Sequence, residues 1–135
     1  MKPLLTITLA ALSIIAVAQD NQVLNSINYL KSKELDKAKV ATERAAENEK
    51  TKSSAKMWKA RGDVYRAIYS DTSAKVRAID EEAEEKALTA YINCLAIDLK
   101  ENAKDPIYKP DVKGPIVMAA NATNRKAARL GQAKM

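Results

Sequence analysis

The chain has no histidine, no phenylalanine, a single cysteine, three glycines and four prolines in 135 residues. Each shortage excludes something. Without histidine, a Ser-His-Asp triad and the commonest metal sites are ruled out. One cysteine excludes an internal disulfide and a thiolate cluster. So few glycines and prolines argue against a β-sandwich or barrel, whose turns recur about every 8–12 residues. What is abundant is alanine and charge: 47% of residues are hydrophobic and 30% charged. That composition favours helices, in one small domain with a modest core.

The first residues read as an address. Met1-Lys2 is followed by an apolar stretch from Leu4 to Ala16, and Ala16-Val17-Ala18 before Gln19 fits a small-x-small cleavage site. The apolar run of about 15 residues is short of the roughly 20 that a bilayer requires. Residues 1–18 are therefore expected to be a signal peptide. The mature chain is then exported, periplasmic or secreted, with no membrane span.

Helical spacing dominates the rest. Leu24, Ile27 and Leu30 form a stripe over Asp20–Ser32. Asp36 is placed to cap a second helix that carries Ala38, Ala41, Thr42 and Ala45. Ser53 and Ser54 are candidate caps for a third, Ala55–Tyr69, with Met57, Trp58, Arg61, Val64, Tyr65 and Ile68 on one side. Val76, Ile79, Ala83, Ala87, Tyr91, Cys94 and Ile97 predict one long fourth helix up to Asp98. Pro106, Pro110, Gly114 and Pro115 predict a loop over 102–115 and a last helix from Ile116. The fold class is all-α: about five helices in antiparallel hairpins.

Two of these helices carry a recognisable pattern. Trp58-x-x-Arg61-Gly62-x-x-Tyr65 and Ala87-x-x-x-Tyr91-x-x-Cys94-Leu95 resemble the two halves of a tetratricopeptide (TPR) repeat, with Arg61 in place of its leucine. A fainter copy places Ser26 and Tyr29 in the glycine and tyrosine positions, followed by Ala38, Thr42, Ala45 and Ala46. The stretch from Trp58 to Ala87 is longer than the family's by about a dozen residues, which implies longer helices forming an extended hairpin tip. The resemblance implies two hairpins over residues 19–101 stacked as a short right-handed solenoid, with residues 116–135 as the first half of a third repeat. It also implies a concave surface built from the first helix of each hairpin. There the outward residues are Val23 and Lys31 from one helix and Lys56, Lys59, Asp63 and Arg66 from the next, with Ile27 and Leu30 either outward or in the core. Since a stacked repeat leaves an apolar end, the chain is a piece of a longer array, covers that end with its Pro-containing segment, or self-associates.

Candidate chemistry is sparse. Asp80, Glu81, Glu82, Glu84 and Glu85 form the densest acidic run, which reads as a solvated helix face because no glycine-containing loop supplies the carbonyls a hard cation needs. Cys94 falls on the apolar stripe with no basic neighbour to activate it, a buried small hydrophobe and no nucleophile. Trp58, Tyr65 and Tyr91 fall on core stripes. Seven basic side chains face two acidic ones over Asn102–Met135, against four and eight over Asp71–Glu101. With Tyr108 the sole aromatic of the basic tail, base stacking is unsupported and no nucleic-acid partner is expected. The expectation is a protein-binding scaffold that takes a protein or peptide partner, with no catalysis, no metal and no cofactor. The alternative is an envelope subunit that self-associates through its uncovered end.

Overall fold

The computed structural model describes residues 21–135, and every regular element among them is helical. The leader expected over residues 1–18 lies outside the described residues. Helix α1 covers residues 21–31. It is followed by α2 (Leu35–Glu47), α3 (Ala55–Ser70), a single turn α4 (Ala74–Arg77), α5 (Ala83–Glu101) and α6 (Lys109–Ala133). None is long and apolar enough to cross a membrane.

The reversal from α1 to α2 is set by Lys33, whose φ of 59° is left-handed. Its N–H bonds the Leu30 carbonyl at 3.1 Å, and the Glu34 N–H bonds that of Tyr29 at 2.9 Å. That pair of bonds is a Schellman closure, which satisfies carbonyls the helix end would otherwise leave open. Asp36 sits inside the first turn of α2, because the helix already begins at Leu35 and Glu34 is its uncapped flank. At α3 the expected cap is present: the Ser54 hydroxyl accepts the Met57 N–H at 3.4 Å.

Small residues let these helices approach. Ala38, Ala41, Thr42 and Ala45 of α2 are buried, and so are Val64, Tyr65 and Ile68 of α3 and Ala87, Ala90, Tyr91 and Cys94 of α5. Helix α3 lies at the centre, packed on α2 and α5 and touching α6, while α6 packs along α5. A second, smaller apolar cluster joins Val23 of α1, Ala45 of α2 and Met57 and Ala60 of α3.

Two expected boundaries are corrected. The fourth helix does not run through from residue 74 to Asp98: it breaks after Arg77 and resumes at Ala83. The cause is Asp80, whose carboxylate accepts the Glu82 N–H at 2.9 Å and turns the chain there. The same carboxylate takes Lys39 of α2 at 3.0 Å and Lys86 of α5 at 2.7 Å. So the extra residues form no protruding tip of longer helices but a folded connection pinned to two helices. The second correction concerns the Pro-containing segment. Helix α6 starts at Lys109, not Ile116, and contains Pro110 in its first turn and Pro115 in its interior. Pro110 costs little in that position, whereas Pro115 removes one helical bond.

What holds the start of α6 is Asp98, fully buried near the end of α5. Its carboxylate accepts the N–H groups of Ile107 at 2.9 Å, Tyr108 at 2.7 Å and Lys109 at 3.0 Å, and the Asn102 amide at 3.2 Å. These donors would otherwise be open at a helix N-terminus, where negative charge is also favoured by the helix dipole. Burial works to raise the Asp98 pKa, but the four donors outweigh it and hold the carboxyl below its ordinary value.

Candidate functional site

One concave feature built by three separate helices lies at the face of α3. Leu30 from α1, Asp63, Arg66, Ala67 and Ser70 from α3, and Met118 from α6 line a groove of about 440 Å³. Helical spacing explains the α3 contribution, because residues 63, 66, 67 and 70 recur at three- and four-residue steps. The opposite stripe of that helix, Val64, Tyr65 and Ile68, is in the core. The lining combines apolar Leu30, Ala67 and Met118 with a charged rim of Asp63 and Arg66.

Asp63 is the electrostatic centre of that rim. The Tyr91 hydroxyl donates to Asp63 Oδ1 at 2.7 Å, and Lys59 pairs with Oδ2 at 2.7 Å. Arg66 stands 4.0 Å from Oδ1. Burial foremost, then the adjacent Asp63 charge, pushes the Tyr91 phenol far above its ordinary pKa, so it remains a donor at every physiological pH. Asp63 is thus partly spent inside the protein, and Arg66, 40% exposed, keeps most of its donors for solvent.

The six expected contact residues divide accordingly. Lys59, Asp63 and Arg66 come together on one stripe of α3. Lys31 and Lys56 are exposed, and they and half-buried Lys59 stand outside the groove lining. Val23 is corrected: at 7% exposure it belongs to the core between α1, α2 and α3 and cannot present a contact surface. Ile27 and Leu30 are half-buried against that packing, with Leu30 also lining the groove. Ala67, Ser70 and Met118 were missed.

A second, larger cleft of about 780 Å³ adjoins the groove, and Ser70 and Met118 line both. It lies between the end of α3, the α4 turn, the start of α5 and the outer half of α6.

The acidic run is not one helical face. Asp80, Glu81 and Glu82 precede α5, and only Glu84 and Glu85 lie in its first turn. Lys126 of α6 meets Glu85 at 3.1 Å and Glu84 at 3.5 Å and also donates to the Glu81 carbonyl. Lys126 of the basic tail therefore docks on the acidic run within one chain.

The aromatic residues also separate. Tyr65 and Tyr91 are fully buried, while Trp58 is half-buried with its indole N–H donating to the Lys52 carbonyl at 2.7 Å. Arg61 lies over the Tyr65 ring at 5.1 Å and reaches Glu43 of α2 at 3.1 Å. No protein-family model, curated protein or solved structure matches the chain.

Proposed function

We propose that the protein is an exported TPR-like scaffold that holds a segment of another polypeptide in the α1–α3–α6 groove and carries out no chemistry of its own. One observation carries this reading: the groove is lined only by α1, α3 and α6, the helices that would lead successive hairpins of such a solenoid. The close packing of Tyr91 on Gly62 supports it, as does the mix of apolar lining residues and a charged rim, which suits an amphipathic segment.

The test is a selection from a random peptide library on the immobilised full chain. Enriched peptides are expected to lose binding to the Ser70→Trp variant, which fills the groove. They should keep it in Ala96→Trp, at an exposed position of α5 away from the groove. Equal binding to both variants would overturn the groove assignment.

A further inference from the structure

The cleft adjoining the groove is lined by Arg77 of α4 and by Arg125 and Arg129 of α6. All three are exposed. Among the described residues Arg125 and Arg129 form no ion pair, and Arg77 donates only to the Asp71 carbonyl, at 2.6 Å. The sole carboxylate lining the cleft is Glu84, which is already engaged by Lys126 at 3.5 Å. Guanidinium groups bind carboxylates with two parallel hydrogen bonds, so three of them around one cleft form an anion receptor by geometry as well as charge.

A second, independent observation points the same way. The hydroxyl of Tyr69, which lines this cleft, is shielded from solvent and has no hydrogen-bond partner. An orphaned buried polar group is costly, so turning this phenol outward to meet a ligand's acceptor in the cleft relieves that cost. Burial raises the Tyr69 pKa, which keeps the phenol in its donating form.

We propose that this cleft binds an acidic polypeptide segment, whose carboxylates meet Arg77, Arg125, Arg129 and the Tyr69 hydroxyl while its apolar side chains continue into the groove over Met118 and Leu30. The proposal rests on the groove reading above and adds the chemistry of the partner. A polypeptide fits better than a phosphate or a lipid headgroup. The cations are distributed from the α4 turn to the outer half of α6, and the cleft is continuous through Ser70 and Met118 with a groove that Leu30 and Ala67 also line. Anionic and apolar groups alternating along one strand match that layout, whereas a single compact anion would use one end of it.

The test is fluorescence anisotropy on the full chain with two labelled peptides, one alternating Glu and Leu and one alternating Gln and Leu. Inorganic phosphate and vesicles containing phosphatidylglycerol serve as competitors. The Glu peptide is expected to bind, more weakly as salt rises. The Arg125→Ala/Arg129→Ala variant should lose about tenfold or more. Tyr69→Phe should lose about tenfold or more, the worth of one hydrogen bond to a charged acceptor. The Lys109→Ala/Lys113→Ala variant, with equal charge removed at the other end of α6, should bind as the parent does.

Equal affinity for the Gln peptide, or an unchanged double-arginine variant, would overturn the proposal. So would displacement by phosphate alone, or binding to vesicles in place of peptide. Gln-peptide binding that survives arginine removal but is lost in Ser70→Trp sinks the acidic partner and leaves the groove standing. Failure of both these peptides and the library selection sinks both.

Discussion

The ring of Tyr91 occupies the place where a side chain on Gly62 would begin: a β-carbon at Gly62 would lie 2.6 Å from Cε1 of Tyr91. The ring cannot step aside, because it is fully buried and its hydroxyl is tied to Asp63. Gly62 has an ordinary helical φ, so glycine is required here for approach and not for backbone conformation.

From this contact a change of sign is expected. Gly62→Ala gains about 0.5–1 kcal/mol of helix propensity but overpacks the interface at a cost of about 1–3 kcal/mol. The net result is destabilisation by about 1–2 kcal/mol. With Tyr91→Leu in place the clash is gone, and the same alanine should stabilise by about 0.5–1 kcal/mol. Urea denaturation of the four proteins in a double-mutant cycle measures this, and purely additive effects would contradict the packing described.

The Asp98 clamp makes a pH prediction. Its folded pKa is depressed below the ordinary 3.8, so its contribution to stability is fully present above about that pH. It is lost as the pH falls through the lower folded value. Asp98→Asn should therefore flatten the fall in stability below about pH 4, apart from what other carboxylates contribute. Amide exchange at Ile107, Tyr108 and Lys109 should accelerate in Asp98→Ala more than exchange in α3. Unchanged protection of those three amides would mean that the clamp does not hold α6.

Where the sequence was readable and where it was not follows from how far each determinant reaches. Helix α3 was legible because its cap and its stripe are local, as was the burial of Tyr65, Tyr91 and Cys94. The break at Asp80 was not, because Val76 and Ile79 keep helical spacing on both sides of it. The groups that fix the turn include Lys39, far away on α2. The early start of α6 was hidden in the same way: prolines are local signals for a break, and the carboxylate that overrides them sits on another helix. Val23 was assigned outward from its place in a repeat pattern, whereas the small α2 residue Ala45 and Met57 of α3 close over it. In the groove, the α3 residues Asp63 and Arg66 are legible from spacing, but the apolar lining residues Ala67 and Met118 carry no chemistry that composition can flag.

Cys94 should behave as a reporter of unfolding. Burial foremost, with the nearby Asp98 charge, pushes its thiol up to about 11 from 9.0. Two pH units correspond to about a hundredfold less thiolate at pH 8, before any steric shielding. Iodoacetamide labelling of the native chain at pH 8 is therefore expected to be at least about a hundredfold slower than in 6 M guanidinium chloride. Rapid native labelling would mean that α5 opens frequently or that Cys94 is not enclosed.

Lys126 decides whether the outer half of α6 stays docked. Beyond Ala122, α6 buries almost nothing: Thr123 and Lys126 are half-buried and the remainder is exposed. A helix without an apolar face depends on whatever specific contacts remain, and here these are the bonds from Lys126 to Glu84, Glu85 and the Glu81 carbonyl. Burial alone would lower the Lys126 pKa, but the two glutamates overcome it and raise the pKa, so the ammonium stays charged up to strongly alkaline pH. Lys126→Glu reverses that charge against two carboxylates and should release residues 123–133 from the α5 N-terminus. Hydrogen exchange is expected to rise there while α3 stays protected, with a global loss of about 1 kcal/mol or less, since the pair is partly solvated. Because the arginine cleft is walled by this same segment, Lys126→Glu should also weaken the acidic peptide severalfold, although residue 126 does not line the cleft. Restoring opposite charge with Glu84→Lys and Glu85→Lys on the Lys126→Glu background should recover both protection and binding. A rescue of neither would place the support of α6 elsewhere.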